Sequence, residues 1–226
     1  MKPGEKKRWK RGDAYRDDVL RDFQPSVLYR TKVIGTNEQG VYGELTDEIV
    51  GIELTSHDDP QYSIVRTMGC GGATSLLNQA GLPPILGPCF DPFENNDHHG
   101  VADNAGAPGG QQNHAQQAPA MSAWNKELYR AVLLLLNAHP GATPDPTRPS
   151  GKLLKKLHQN GAQDLEPRNR YAKTVNSMYL GFKCNVDEVH TVLGAMHGNY
   201  VPIEFPLIHV ALVDHPDVTR ETIRIW

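Results

Sequence analysis

Apolar positions change their rhythm several times along the chain. Between residues 13 and 23 they recur at helical spacing, with Tyr15, Val19, Leu20 and Phe23 sharing a face. Asp13 is placed to cap that helix and Pro25 to stop it. From 26 to 35, β-branched and aromatic residues alternate with polar ones, which predicts a strand. Asn37-Glu38-Gln39-Gly40 reads as a turn, 41–45 as a second strand, 48–55 as a third and 62–68 as a fourth. His57-Asp58-Asp59-Pro60 separates the last two. Strands at this spacing predict an antiparallel sheet or small barrel. A short helix over 73–80 follows, with Gly81 as its terminator.

The rhythm then disappears. Residues 82–120 open with Pro83, Pro84, Pro88 and Pro92 and continue as a His/Asn/Gly/Gln-rich run. A stretch that long without pattern predicts a functional arm, a linker, or a segment ordered by a neighbouring subunit. Ser122 caps the strongest predicted helix, 122–138, whose 131–136 segment is apolar on every side and therefore predicts burial all round. A second Pro-rich loop leads to a helix over 152–159, with Ser150 as cap, Leu153, Leu154 and Leu157 inward, and Gly161 as its stop. Met178, Leu180, Phe182, Cys184 and Val186 alternate strictly, which predicts a half-buried strand. Val189, Val192, Leu193 and Met196 return to helical spacing, closed by Gly198. Residues 200–204 and 207–213 read as strands and 219–225 as an edge. The expected fold is α+β: an N-terminal antiparallel β-sheet or small barrel, a central helix, a C-terminal β-α-β unit and long irregular loops. Four regions follow: a basic arm with its helix (1–25), a β-rich region (26–81), an irregular loop (82–121) and an α+β region (122–226).

Composition supports a loop-rich chain. Only 38% of the 226 residues are hydrophobic, and about one in six is Gly or Pro. No apolar run approaches the roughly 20 residues of a membrane helix, so no membrane partner is expected. No apolar stretch follows the basic start, so no secretory leader is expected either. The three cysteines, Cys70, Cys89 and Cys184, are far apart, which excludes a Cys-x-x-Cys zinc or redox motif and points to folding in a reducing cytoplasm. Net charge is −3, yet Lys6, Lys7, Arg8, Lys10 and Arg11 crowd the start around Trp9. Such an arm is suited to nucleic acid, with phosphates supplying affinity and the indole a stacking surface; a solvated or partner-bound tail is the alternative.

Candidate chemistry is sparse. Ser150-Gly151-Lys152 fails as a phosphate loop, because Pro146 stands where the first glycine belongs and Leu153 replaces Ser/Thr. Asp97, His98, His99 and His114 are ligand types for zinc or nickel, but no helix or hairpin fixes them, so neither a metal site nor a cofactor is expected. Cys70 lies in Gly69-Cys70-Gly71-Gly72, just ahead of a helix, where the positive end of the dipole favours a thiolate. Cys-x-Gly before a helix ending in Ala80-Gly81 resembles the nucleophile helix of NlpC/P60-type cysteine peptidases. Ile208-His209-Val210-Ala211-Leu212 resembles the strand that carries their histidine base. That resemblance implies Cys70 as nucleophile and His209 as base of an amidase or peptidase. It departs at Gly69, where the family usually has Asp, and in the length of chain separating Cys70 from His209.

A broader likeness covers residues 26–68. Strand, turn, Glu44-Leu45-Thr46-Asp47-Glu48-Ile49-Val50-Gly51-Ile52-Glu53 and a further strand resemble the opening β-domain of tailed-phage baseplate or tail-hub proteins. The resemblance implies a structural subunit of a virus particle's tail, baseplate or neck, made in the host cytoplasm. It would dock to further copies and to other subunits, homo- and hetero-oligomeric, through loops and termini. Aromatic side chains carry much interface energy, so Trp9, Tyr15, Phe23, Phe90, Phe93 and Trp226 are the expected anchors. The cysteine hydrolase is the alternative.

Overall fold

The computed structural model describes residues 1–33, 38–91, 121–139, 142, 144–196 and 200–225. Helix α1 (Asp13–Asp22) follows Gly12, whose φ of 114° makes the sharp entry that glycine tolerates, and Asp13 stands inside the helix rather than capping it. At Phe23 the backbone becomes extended, and strand β1 (Phe23–Lys32) runs straight on through Pro25. Pro25 is accommodated because β1 is an edge strand.

Strand β1 pairs antiparallel with β4 (Glu48–Ser56), which pairs antiparallel with β5 (Ser63–Met68) in the order β1-β4-β5. Between them, β2 (Glu38–Gly40) and β3 (Gly43–Leu45) form a separate hairpin. The expected turn at 37–40 is therefore displaced: Glu38, Gln39 and Gly40 are strand, and Val41 and Tyr42 make the turn. Among the described residues the strands form an open sheet and a hairpin rather than a barrel.

Both faces of the sheet are covered. On one, Phe23, Val27, Val50, Ile52 and Leu54 pack with Val19 of α1 and with Ala73, Leu76 and Leu77 of α2 (Cys70–Gln79). On the other, Leu28, Tyr29 and Ile49 join the core built by the later helices. The alternation along β4 explains this division, since successive side chains point to opposite faces. Gly51 is on the second face, where an added Cβ would stand 2.0 Å from the Tyr29 ring. Glu53, 3% exposed, is on the same face and meets Lys155 at 2.7 Å and Ser26 at 3.1 Å.

From residue 121 onward the described elements are helical: α3 (Ala123–Asn137), α4 (Pro149–Gln159), α5 (Arg168–Gly181), α6 (Val186–Met196) and α7 (Pro206–Val213). Ser122 caps α3 by accepting from the Asn125 N–H at 3.2 Å, and the residues from Ala131 to Leu135 are at most 1% exposed. Arg148, not Ser150, is the cap residue of α4, but Leu153, Leu154 and Leu157 face inward as expected.

The β-α-β unit is overturned. Residues expected as a strand at 178–186 instead finish α5, turn at Lys183 (φ 56°) and start α6. The buried positions of α5 are Ala172, Val175, Asn176 and Tyr179, a helical spacing. Residues 200–204 are irregular, 207–213 lie in α7, and a short 3-10 turn at Arg220–Thr222 replaces the expected edge strand. Pro206 begins α7, where its missing N–H costs nothing. The Glu127 carboxylate accepts the N–H groups of Leu207 and Ile208 at 2.9 and 3.1 Å, tying α7 to α3.

Two buried asparagines fasten this helical region. Asn125 of α3 donates to the carbonyls of Gly161 and Gln163 and accepts the Leu165 N–H at 3.0 Å, holding the link from α4 to α5. Asn176 of α5 donates to the Thr222 carbonyl at 2.9 Å and accepts the Arg224 N–H at 2.7 Å, holding the C-terminal segment.

Candidate functional site

Cys70 is the first residue of α2, at the place where the dipole argument puts it. Its surroundings reverse the expected effect. The Sγ donates to Glu48 Oε2 at 2.9 Å, and burial together with that carboxylate pushes the thiol up to about 11. Cys89 is pushed up to about 12, by burial and by the same carboxylate. Glu48 itself is penalised by burial. Hydrogen bonds from Cys70, Arg30 and Lys32 outweigh that penalty and hold it down to about 2. Arg30 reaches it with Nε at 2.8 Å and Nη2 at 2.7 Å, and Lys32 at 3.2 Å. Tyr129 of α3 anchors the strand beneath, accepting the Arg30 N–H at 2.8 Å and facing the Arg30 and Pro88 carbonyls at 3.1 and 3.2 Å.

This knot joins β1, β4, α2 and the 82–91 segment. Its carboxylate is ionised and its thiols are protonated, so it suits fastening rather than nucleophilic attack. His209 is on helix α7 rather than a strand, and its Nδ1 lies 3.4 Å from the Ile225 carbonyl. Cys70 thus meets a carboxylate and His209 a backbone carbonyl, so the geometry does not form the expected Cys–His pair. Glu48 and Arg30 escaped the sequence reading because charged residues at strand ends ordinarily face water.

The N-terminal arm is folded onto the body. Trp9 is 6% exposed, packs on Tyr15 and Tyr42, donates its indole N–H to the Lys6 carbonyl at 3.1 Å, and bonds by its backbone to Val41. Its indole therefore serves the core and does not stack on bases. Lys6, Lys7, Arg8, Lys10 and Arg11 are exposed around it. Arg8 bonds Gln39 and the Gly40 carbonyl.

The described ones among the expected interface anchors are mostly interior. Phe23 (0% exposed) and Phe90 (3%) belong to the two cores, and Tyr15 is half-buried beside Trp9. Phe93 and Trp226 lie outside the described residues, as do Asp97, His98, His99 and His114. Among the described residues, no cluster of His, Cys, Asp and Glu is arranged to hold a metal ion, and no helix is long and apolar enough to cross a membrane. All three cysteines are free thiols.

Among the described residues the exposed large apolar side chains, Met1 and Tyr62 apart, are elsewhere. Leu180, Phe182, Val192, Met196, Val201, Val210 and Val213 all belong to α5–α7 and their links. Helix α7 is the extreme case: nearly every residue is apolar, yet only Ile208 and Leu212 are buried, and Val210 is 58% exposed.

No protein-family model matches the chain, and no curated protein or solved structure does. What the fold defines is a class. The chain is an α+β protein with an antiparallel three-stranded sheet and a hairpin, followed by a largely helical C-terminal region.

Proposed function

We propose that the chain is a structural subunit of a large virus-particle assembly, such as a tail, baseplate or neck, and acts through its interfaces. The observation that carries this reading is α7. A helix apolar on all sides is normally buried on all sides, whereas α7 packs on the body along one side and leaves Val210 and Val213 exposed. A neighbouring subunit covering it removes that surface from water, at about 25 cal/mol for each Å2 of apolar area. The apolar residues on α5 and α6 extend the surface available for docking.

The basic loop supports a second contact within the same particle. Trp9 fixes the loop, so its cations project from a rigid base and reach phosphates with little ordering cost. Lys6, Lys7, Lys10 and Arg11 form no ion pair among the described residues.

The test is immunodetection and quantitative mass spectrometry of particles purified from cells that make the chain. The reading predicts a fixed number of copies per particle that survives stringent washing. A chain found only in the soluble fraction, with none in the particles, overturns it.

A further inference from the structure

A groove of about 700 Å3 lies between α3, the start of α4 and α5. Its floor is apolar, with Leu136 of α3 accessible above the buried Val132 and Leu135, and Met178 and Phe182 along one wall. Helix α5 leaves room by its sequence. The residues it turns to the groove, from Arg170 to Gly181, recur at steps of three and four and so form one stripe. Ser177 and Gly181 are the small members of that stripe. A Cβ built on Gly181 meets no atom within 4 Å, so the groove is open at that point.

The charge of the lining is one-sided. Arg148, Arg170 and Lys173 border the groove, and among the described residues no carboxylate does. Lys173 is paired with Asp217 at 2.9 Å and Arg148 with Asp145 at 3.4 Å, while Arg170 has no acidic partner among the described residues. The first turn of α4 reaches the same groove through Pro149 and Ser150, with no side-chain cap and no acidic residue to meet its N–H groups. An apolar floor with a few fixed polar groups, in this range of volume, is the usual form of a small-molecule site. Between Arg170 and Phe182 the helix rises about 18 Å, comparable to an extended medium-chain acid.

We propose that this groove binds a small anionic amphiphile, an elongated apolar molecule ending in a carboxylate. The apolar tail lies over Leu136, Met178 and Phe182, and the head meets Arg170, whose charge repels a cationic head. The groove shares Phe182 with the apolar surface of α5 and none of its lining with α7, and binding to the isolated chain does not depend on the assembly role.

The experiment uses the full chain and three twelve-carbon probes: dodecanoate and dodecyltrimethylammonium below their micellar concentrations, and dodecanol below its solubility limit. Calorimetry measures affinity, and amide chemical shifts locate the probe. Dodecanoate is expected to bind one to one and shift the amides of residues 174–182. The alcohol binds at least tenfold more weakly and the ammonium not detectably. Arg170→Glu lowers dodecanoate affinity at least tenfold. Gly181→Trp, at a residue with an ordinary φ and open space beside it, fills the groove and abolishes binding with the fold intact. Equal affinity for all three probes, or binding undiminished in both variants, overturns the proposal. So does an unoccupied groove whose amides become protected only when chains associate, which assigns it to a docked protein segment.

Discussion

Glu48 is the residue through which the β-region is tied together, and its ionisation has a readable consequence. Its carboxyl is held down to about 2 and its side chain is 14% exposed. A carboxyl depressed in the folded state contributes stability above its unfolded pKa and loses it as pH falls towards the folded value. Stability is therefore expected to drop between about pH 4.5 and 2, by an amount of the order of 3 kcal/mol from this group. Urea unfolding across that range checks it, and Glu48→Gln should flatten the Glu48 contribution; an identical acid limb in the variant rules the assignment out. The thiols make a matching prediction. With Cys70 at about 11 and Cys89 at about 12, iodoacetamide at pH 8 should label both at least tenfold more slowly than an unhindered thiol. Rapid labelling of Cys70 would restore the nucleophile reading. The sequence put Cys70 at a helix N-terminus correctly, but a dipole worth a fraction of a kcal/mol yields to a buried carboxylate arriving from β4. Nothing local to Gly69-Cys70-Gly71-Gly72 announces that Glu48 will be there.

At the scale of elements, legibility followed the kind of burial each one has. Strand β4 and helix α3 were readable because their pattern is decided by packing: a short β-branched run buried on both faces in β4, and an all-apolar run inside α3. Helix α5 was misread because the even-numbered residues from Met178 to Val186 are apolar by coincidence. Leu180 and Phe182 are exposed, and the buried row includes Asn176, whose polarity hides the helical period. An apolar run such as α7 carries no period at all, so helix and strand are indistinguishable until Pro206 is recognised as a first-turn signal. Asn125 deserves a test at this scale, since it satisfies several backbone groups of the α4–α5 link at once. Asn125→Ala leaves those groups unpartnered in a buried site, at a cost of about 1–3 kcal/mol for a group that cannot find water. A loss of about 3 kcal/mol is expected in urea unfolding, with faster amide exchange in residues 160–166. A loss below about 1 kcal/mol would mean that the link holds itself.

For the whole molecule, the sheet is a wall shared by two cores, with α1 and α2 on one side and the later helices on the other. That arrangement uses up the aromatic residues a sequence reading assigns to interfaces, because Trp9, Phe23 and Phe90 are what the two cores are made of. On the proposed assembly role, docking falls to aliphatic side chains on α5–α7, above all Val210 and Val213, with a second copy of the chain as the neighbour that covers α7. The decisive measurement is sedimentation velocity of the purified chain over a hundredfold range of concentration, beside Val210→Glu. The account predicts association that grows with concentration in the native chain and a folded monomer throughout for the variant. A native chain that stays monomeric at every concentration, with a sedimentation coefficient equal to that of Val210→Glu, would contradict self-association through α7.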